Sequence, residues 1–208
     1  MEWHWYKQWE SQCKTCSQWA DHFIAFNPTV PISSPEWAKN KKRSISLEPI
    51  VQALGKTMTS ALPGFHAFSG ADQTGHFAGK GKLICWQALK RYPIEMVSAF
   101  ATLGSTEKLR SDTEQKIEAF VCQLYEPGTN LVEVGELRWR LFTKKQLEAE
   151  KLPPTQGALH QAIARAHYQA MVWDQDHVPN PQMPQAFECG WEAEGDQLVD
   201  VFKTFCKY

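Results

Sequence analysis

"ALPGFHAFSGADQTGHFAGKGKLICWQAL" spans positions 61–89, and its punctuation sets the fold class. Phe65 and Phe68 close an apolar helical stretch predicted over Thr59–Phe68. Leu83, Ile84, Ala88 and Leu89 predict a second helix starting near Lys80 and ending about Tyr92. Gly70, Gly75, Gly79 and Gly81 separate the two, so the stretch reads as helix, glycine-rich loop, helix.

The flanks extend the pattern. On the N-terminal side Ser46 is a candidate N-cap before Leu47, Ile50, Val51 and Leu54. On the C-terminal side Pro93 opens a helix with Ile94, Val97, Phe100 and Ala101 inward and Gly104 as its stop. Ser111-Asp-Thr-Glu114 has the capping-box pattern before Ile117, Phe120, Val121 and Leu124. A helix is predicted over Glu133–Glu148 with Leu137, Leu141 and Phe142 as its apolar stripe, and Pro153-Pro154 end that segment. Thr155 caps a long helix carrying Leu159, Ile163, Ala166, Ala170 and Trp173 on one face. Pro179, Pro181 and Pro184 mark an extended linker, and "FECGWEAEGDQLVDVF" reads as two strands around Glu194-Gly195-Asp196. The expected fold is mainly α, a multi-helix domain over 45–178, with a small C-terminal β-hairpin in 179–208.

Residues 1–44 differ in composition. They hold five of the nine tryptophans (Trp3, Trp5, Trp9, Trp19, Trp37), and they end in a Pro/Ser-rich stretch and a basic run, Lys39 to Arg43. This reads as an appendage and linker, because "NPTVPISSP" has too many prolines for a helix or central strand.

With 43% hydrophobic and 22% charged residues, the 208-residue chain can bury a core and is not disordered by composition. Residues 1–104 carry 11 basic and 7 acidic side chains; residues 105–208 carry 11 and 16. A basic front half hints at a polyanionic partner. The cysteines at 85, 122, 189 and 206 stand singly, mostly inside apolar patterns, and read as reduced core thiols. With no secretory signal at the start, a nuclear or cytoplasmic location is expected, not a secreted one. No apolar run approaches the ~18–20 residues of a membrane span.

Several residue sets could carry chemistry. Gly79-Lys80-Gly81-Lys82 lies just before a helix: glycines allow close backbone approach, and a helix N-terminus and two lysines favour an anion. The Walker spacing is absent, and a plain helix–helix turn with incidental lysines fits the same residues. Cys13 and Cys16, with His4 and His22, offer four Zn²⁺ ligands, but no second closely spaced pair is present. Two cysteines on one face of a Trp-rich helix fit equally. The Lys39–Arg43 run suits nucleic-acid contact, nuclear import or a solvated linker. The N-terminal tryptophans suit base stacking or contact with a protein partner. His66 and His76 bracket Asp72, but His66 lies in an apolar helix and reads as packed.

"FSGADQTGHFAGKGKLICWQAL" resembles the helix-two-turn-helix segment of the flap-endonuclease (XPG-type 5′ nuclease) family, whose core is PIN-like. Gly70, Asp72, Gly79, Gly81 and Lys82 fall on that family's motif positions, and Ala71 replaces its cysteine. The resemblance implies a catalytic, Mg²⁺-binding role for Asp72 and a grip on duplex DNA backbone by the Gly-x-Gly turn. Over a wider span, about Ser46 to Val201, the chain is similar to a multi-copy group of animal proteins associated with mobile elements. Ala61–Lys82, Glu136–Phe142, Leu152–Pro154, Tyr168–Ala170 and Gly190–Val201 match that group's motifs in order.

The departure from the nuclease pattern is upstream. Two-metal hydrolysis needs several carboxylates around ions ~3.5–4 Å apart. Before Asp72 the chain has only Glu2, Glu10, Asp21, Glu36 and Glu48, none in an apolar strand. The expectation is therefore a truncated, nuclease-like protein that binds nucleic-acid backbone through Gly79, Lys80, Gly81 and Lys82 and does not cleave alone. The alternatives are a Mg²⁺-dependent structure-specific endonuclease completed by other carboxylates, and a protein-interaction module.

Overall fold

The computed structural model describes residues 48–71, 74, 77–194 and 197–200. The Trp-rich segment, the Lys39–Arg43 run and the Ser46 cap lie outside the described residues. So do Cys13, Cys16, His4, His22, Asp72 and His76.

The described chain is mainly helical. α1 (Glu48–Phe68) merges the two helices expected on either side of Gly55. Gly55 is the seam: its φ of 75° and ψ of 165° lie outside helical space, in a region only glycine enters freely. The chain divides here into two units, 1–56 and 57–208. The second is built as follows.

α2 (Lys82–Arg91) and α3 (Ile94–Ala101) are split by Tyr92-Pro93. A proline disfavours helical geometry in the residue before it, and Tyr92 is extended at ψ 144°. Gly104 stops α3 as expected, with φ 82°. The helix that carries Ala170 passes so close that a Cβ on Gly104 would lie 2.6 Å from the Ala170 carbonyl carbon. α4 (Ser111–Tyr125) follows, then α5 (Val134–Lys145), a 3-10 turn over Ala149–Lys151, and α6 (Gln156–Asp174). After the proline segment, β1 (Trp191–Glu194) pairs antiparallel with β2 (Gln197–Asp200), which is the expected hairpin.

α4 is the hub. It packs against α2, α3, α5 and α6. Its buried side chains Ile117, Phe120, Val121 and Leu124 follow the helical period closely. Phe120 meets Phe100 of α3 edge-on at 5.1 Å between ring centroids. Phe65 of α1 sits 5.7 Å from Phe100, and Phe68 is at the same distance on another side. Tyr92 closes the cluster 5.3 Å from Phe120. Burying each ring contributes about 1.5–3 kcal/mol, and edge-to-face pairs add about 0.5–1.5 kcal/mol. Three elements far apart in sequence are thus held at one aromatic centre.

Tertiary partners overrule local signals in three places. Ser111 does not cap α4: the N-cap is Arg110, and no side chain caps it. Between the two box residues, Thr113 pairs with Thr102 at 2.9 Å, and the Glu114 carboxylate lies 2.8 Å from His160, an ion pair when that ring is protonated. α5 is shorter than expected, closed by Gln146 in the left-handed region, and Phe142 is exposed. Successive residues turn by about 100°, so Leu137 and Leu141 share a face that Phe142 leaves and Val134 completes. In α2 only Cys85 and Leu89 are buried, while Leu83 and Ile84 face outward; Ile94 of α3 is also exposed.

Two ends are fixed by side chains from elsewhere. Glu118 of α4 accepts from the first amide of α5, that of Val134, at 2.8 Å, placing a carboxylate at the positive end of that helix. Arg165 of α6 is buried; its guanidinium donates to the Gly190 carbonyl at 3.0 Å and lies 5.8 Å from the Trp191 ring centre. That contact anchors β1. Thr155 caps α6 as expected, accepting from the Ala158 amide at 3.3 Å.

Candidate nucleic-acid interface

The loop between α1 and α2 is stitched to the end of α1. The last carbonyls of a helix have no intrahelical donors and need others. Thr74 supplies one: its hydroxyl donates to the Ala67 carbonyl at 2.6 Å and accepts from the Ala71 amide at 2.8 Å. Lys82 supplies more. Its ammonium donates to the Gly70 carbonyl at 2.6 Å, reaches the His66 carbonyl at 3.5 Å, and bonds His66 Nδ1. A cation therefore sits at the negative end of α1. An ammonium has no acceptor, so His66 Nδ1 is the acceptor in that bond. The His66 ring stacks on Trp173 of α6, 5.3 Å away and tilted by 34°.

Lys82 thus serves as a clamp between α1 and α2 as well as the first residue of α2. Its reach of sixteen positions back to His66 gave no sign in the sequence.

The turn itself stands proud of this clamp. Phe77 and Lys80 form an isolated bridge, with the Lys80 amide donating to the Phe77 carbonyl at 3.0 Å. Phe77 is buried and lies 5.0 Å from Phe68, which ties the turn to the core. Gly79 has φ 67°, and Gly79 and Gly81 are exposed. The Lys80 ammonium rests 5.0 Å from the Tyr125 ring centre. Burial, with the Cys85 thiol adding to it, pushes the Tyr125 hydroxyl up to about 12. Cys85 donates to the Lys80 carbonyl at 3.4 Å. Burial raises its thiol above the ordinary value despite Lys82 and Lys80 beside it, so this sulfur is a packed group and not a nucleophile.

Of the sequence candidates, Gly79, Lys80, Gly81 and Lys82 come together here, with Lys80 and Lys82 turned to different partners. Among the described residues, no three His, Cys, Asp or Glu side chains gather as a metal site. No described helix is long and apolar enough to cross a membrane.

A second surface was missed. Trp139 is 69% and Phe142 54% exposed on α5. With Gly135, Arg138, Ala149 and Leu152 they line a cleft of about 320 Å³. The signal was present: Trp139 is two residues from both Leu137 and Leu141, which puts it on the opposite face.

Comparison with protein-family models, curated proteins and solved structures returns no match to this chain.

Proposed function

We propose that the Gly79–Lys82 turn binds the sugar-phosphate backbone of nucleic acid without sequence preference, as part of a nuclease-like, mobile-element-derived protein. Gly81 carries the proposal. Its φ of −63° and ψ of 162° are open to any residue, and a Cβ there meets nothing within 4 Å. Nothing among the described residues therefore calls for glycine. It is the N-cap of α2, where Ser, Thr, Asp or Asn would satisfy the first amides, yet no side chain caps them. The Ile84 and Cys85 amides bond the Gly81 carbonyl at 2.9 and 3.1 Å, and a bare N-cap leaves the positive end of α2 with no side chain in front of it, open to an outside anion. Lys80, one residue before the N-cap and with its ammonium on the Tyr125 ring, adds a cation to the turn, and contacts of this kind position a protein on the backbone without reading bases.

Gly81→Ser tests this with opposite signs for fold and binding. The new hydroxyl serves the amides, so stability stays level or rises by a few tenths of a kcal/mol. Affinity for duplex or branched DNA, measured by fluorescence anisotropy across a salt series, falls. Lys80→Glu lowers the salt slope by about 1. Unchanged affinity and slope in both variants would refute the proposal. Lys82 is a poor probe, because its loss also opens the α1–α2 clamp.

The Trp139–Phe142 face favours a second reading, a protein-interaction module. Exposed aromatic pairs beside a cleft suit a partner's apolar side chain. Under it, Trp139→Ala abolishes partner capture while DNA binding and its salt slope are absent from the start.

A further inference from the structure

His167 lies on α6, buried to 3% exposure, against the connection between α3 and α4. Its Nδ1 accepts from the Gly104 amide at 3.0 Å, across 63 positions of sequence. Nδ1 can accept only while it carries no proton, so the neutral ring holds its proton on Nε2. Nε2 is also buried, with the backbone of Thr106 and Glu107 near the ring. Protonation would place a second donor against the Gly104 amide and a charge in an apolar setting.

In the connection, Ser105 to Lys108 are exposed, and their side-chain bonds are local: the Ser105 hydroxyl donates to the Thr102 carbonyl at 2.8 Å, and that of Thr106 to the Lys108 carbonyl at 2.8 Å. Leu103 and Gly104 are its buried part. Gly104 fits against Ala170 and Met171 so closely that the His167 bond and this contact form one joint.

We propose that His167 is an acid-sensitive latch, whose neutral imidazole holds the 103–110 connection on α6 and whose protonation releases it.

The electrostatics run the same way. Burial lowers the affinity of the ring for a proton, and the backbone of Thr106 and Glu107 offsets part of this. Among the described residues, no ionisable side chain of α3, α4, α6 or the connection acts on the ring, and the Glu107 and Lys108 side chains face solvent. A histidine held below its ordinary value contributes stability that is complete above the unfolded value of about 6.5 and is lost as pH falls below it. The released connection therefore becomes up to about tenfold more populated between pH 7.5 and 5.5.

Hydrogen exchange by mass spectrometry over 103–110, corrected for the intrinsic pH dependence of exchange, reads this population directly. The wild type should lose up to about tenfold in protection on going from pH 7.5 to 5.5. His167→Asn, whose side-chain oxygen can accept from Gly104 without titrating, should lose none beyond the control peptides of α4. Equal acid responses in the two proteins would overturn the latch, as would constant protection in the wild type. Should His167→Asn fail to fold, the imidazole itself is titrated by NMR in the wild type. Titration below the ordinary histidine value, together with broadening of the Gly104 amide, supports the latch; titration at the ordinary value overturns it.

Discussion

Phe100 and Phe142 carry the same phenyl ring, and both stand in apolar patterns in the sequence, yet truncating them should have very different effects. Phe100 is 0% exposed and touches Phe65, Phe68 and Phe120. Phe100→Ala removes about 1.5–3 kcal/mol of transfer free energy and leaves a cavity that α4, fixed by four neighbouring helices, cannot collapse to fill. The total for such truncations is about 3–5 kcal/mol. A domain of this size has about 5–15 kcal/mol of stability, so this one ring accounts for a third or more of a mid-range value. At about 2–4 °C per kcal/mol, the melting temperature should drop by about 6–20 °C. Phe142→Ala removes a ring already more than half in water and should cost under about 1 kcal/mol, a shift of at most about 4 °C. Circular dichroism melts and urea titrations of both variants provide the test. Loss of less than about 1 kcal/mol in Phe100→Ala, or equal losses in the two, would refute the placement of α3 against α1 and α4.

Gly64→Ala sets helix propensity against packing: alanine is favoured by about 1 kcal/mol inside a helix, but the added Cβ would stand 2.1 Å from the Phe100 carbonyl oxygen. The clash should win, with a net loss of about 1–3 kcal/mol in a urea titration, and a stabilised variant would contradict the α1–α3 approach. At alkaline pH, burial pushes the Tyr92 hydroxyl up to about 12, and Tyr125 likewise, so the folded chain holds these protons more tightly than the unfolded one. Stability is complete below about pH 10 and falls as pH rises toward 12; an absorbance titration showing both phenols ionising near 10 in the folded state would disprove their burial.

Sequence alone determined the elements. Helical spacing in α4 and α6, the Pro93 and Gly104 punctuation of α3, the Thr155 cap and the hairpin are all encoded within a few neighbouring residues, and local rules of spacing and capping suffice to find them. The glycine turn was legible for the same reason. What the turn's residues do was decided by tertiary structure. Lys82, read from the sequence as a cation for an incoming anion, also bonds His66 and the end of α1, which only the fold brings against it. The Ser111–Glu114 box looked like a cap, yet the helix starts after Arg110 with no side-chain cap, and Glu114 lies against His160 instead. Leu83, Ile84, Ile94 and Phe142 looked inward because apolar character alone does not say which arc of a helix a neighbour covers. His167 and Gly104 are 63 residues apart, and nothing local to either predicts their bond. Local pattern gives a helix its span. The packing of other helices around it fixes which face is buried and which polar atoms are bonded.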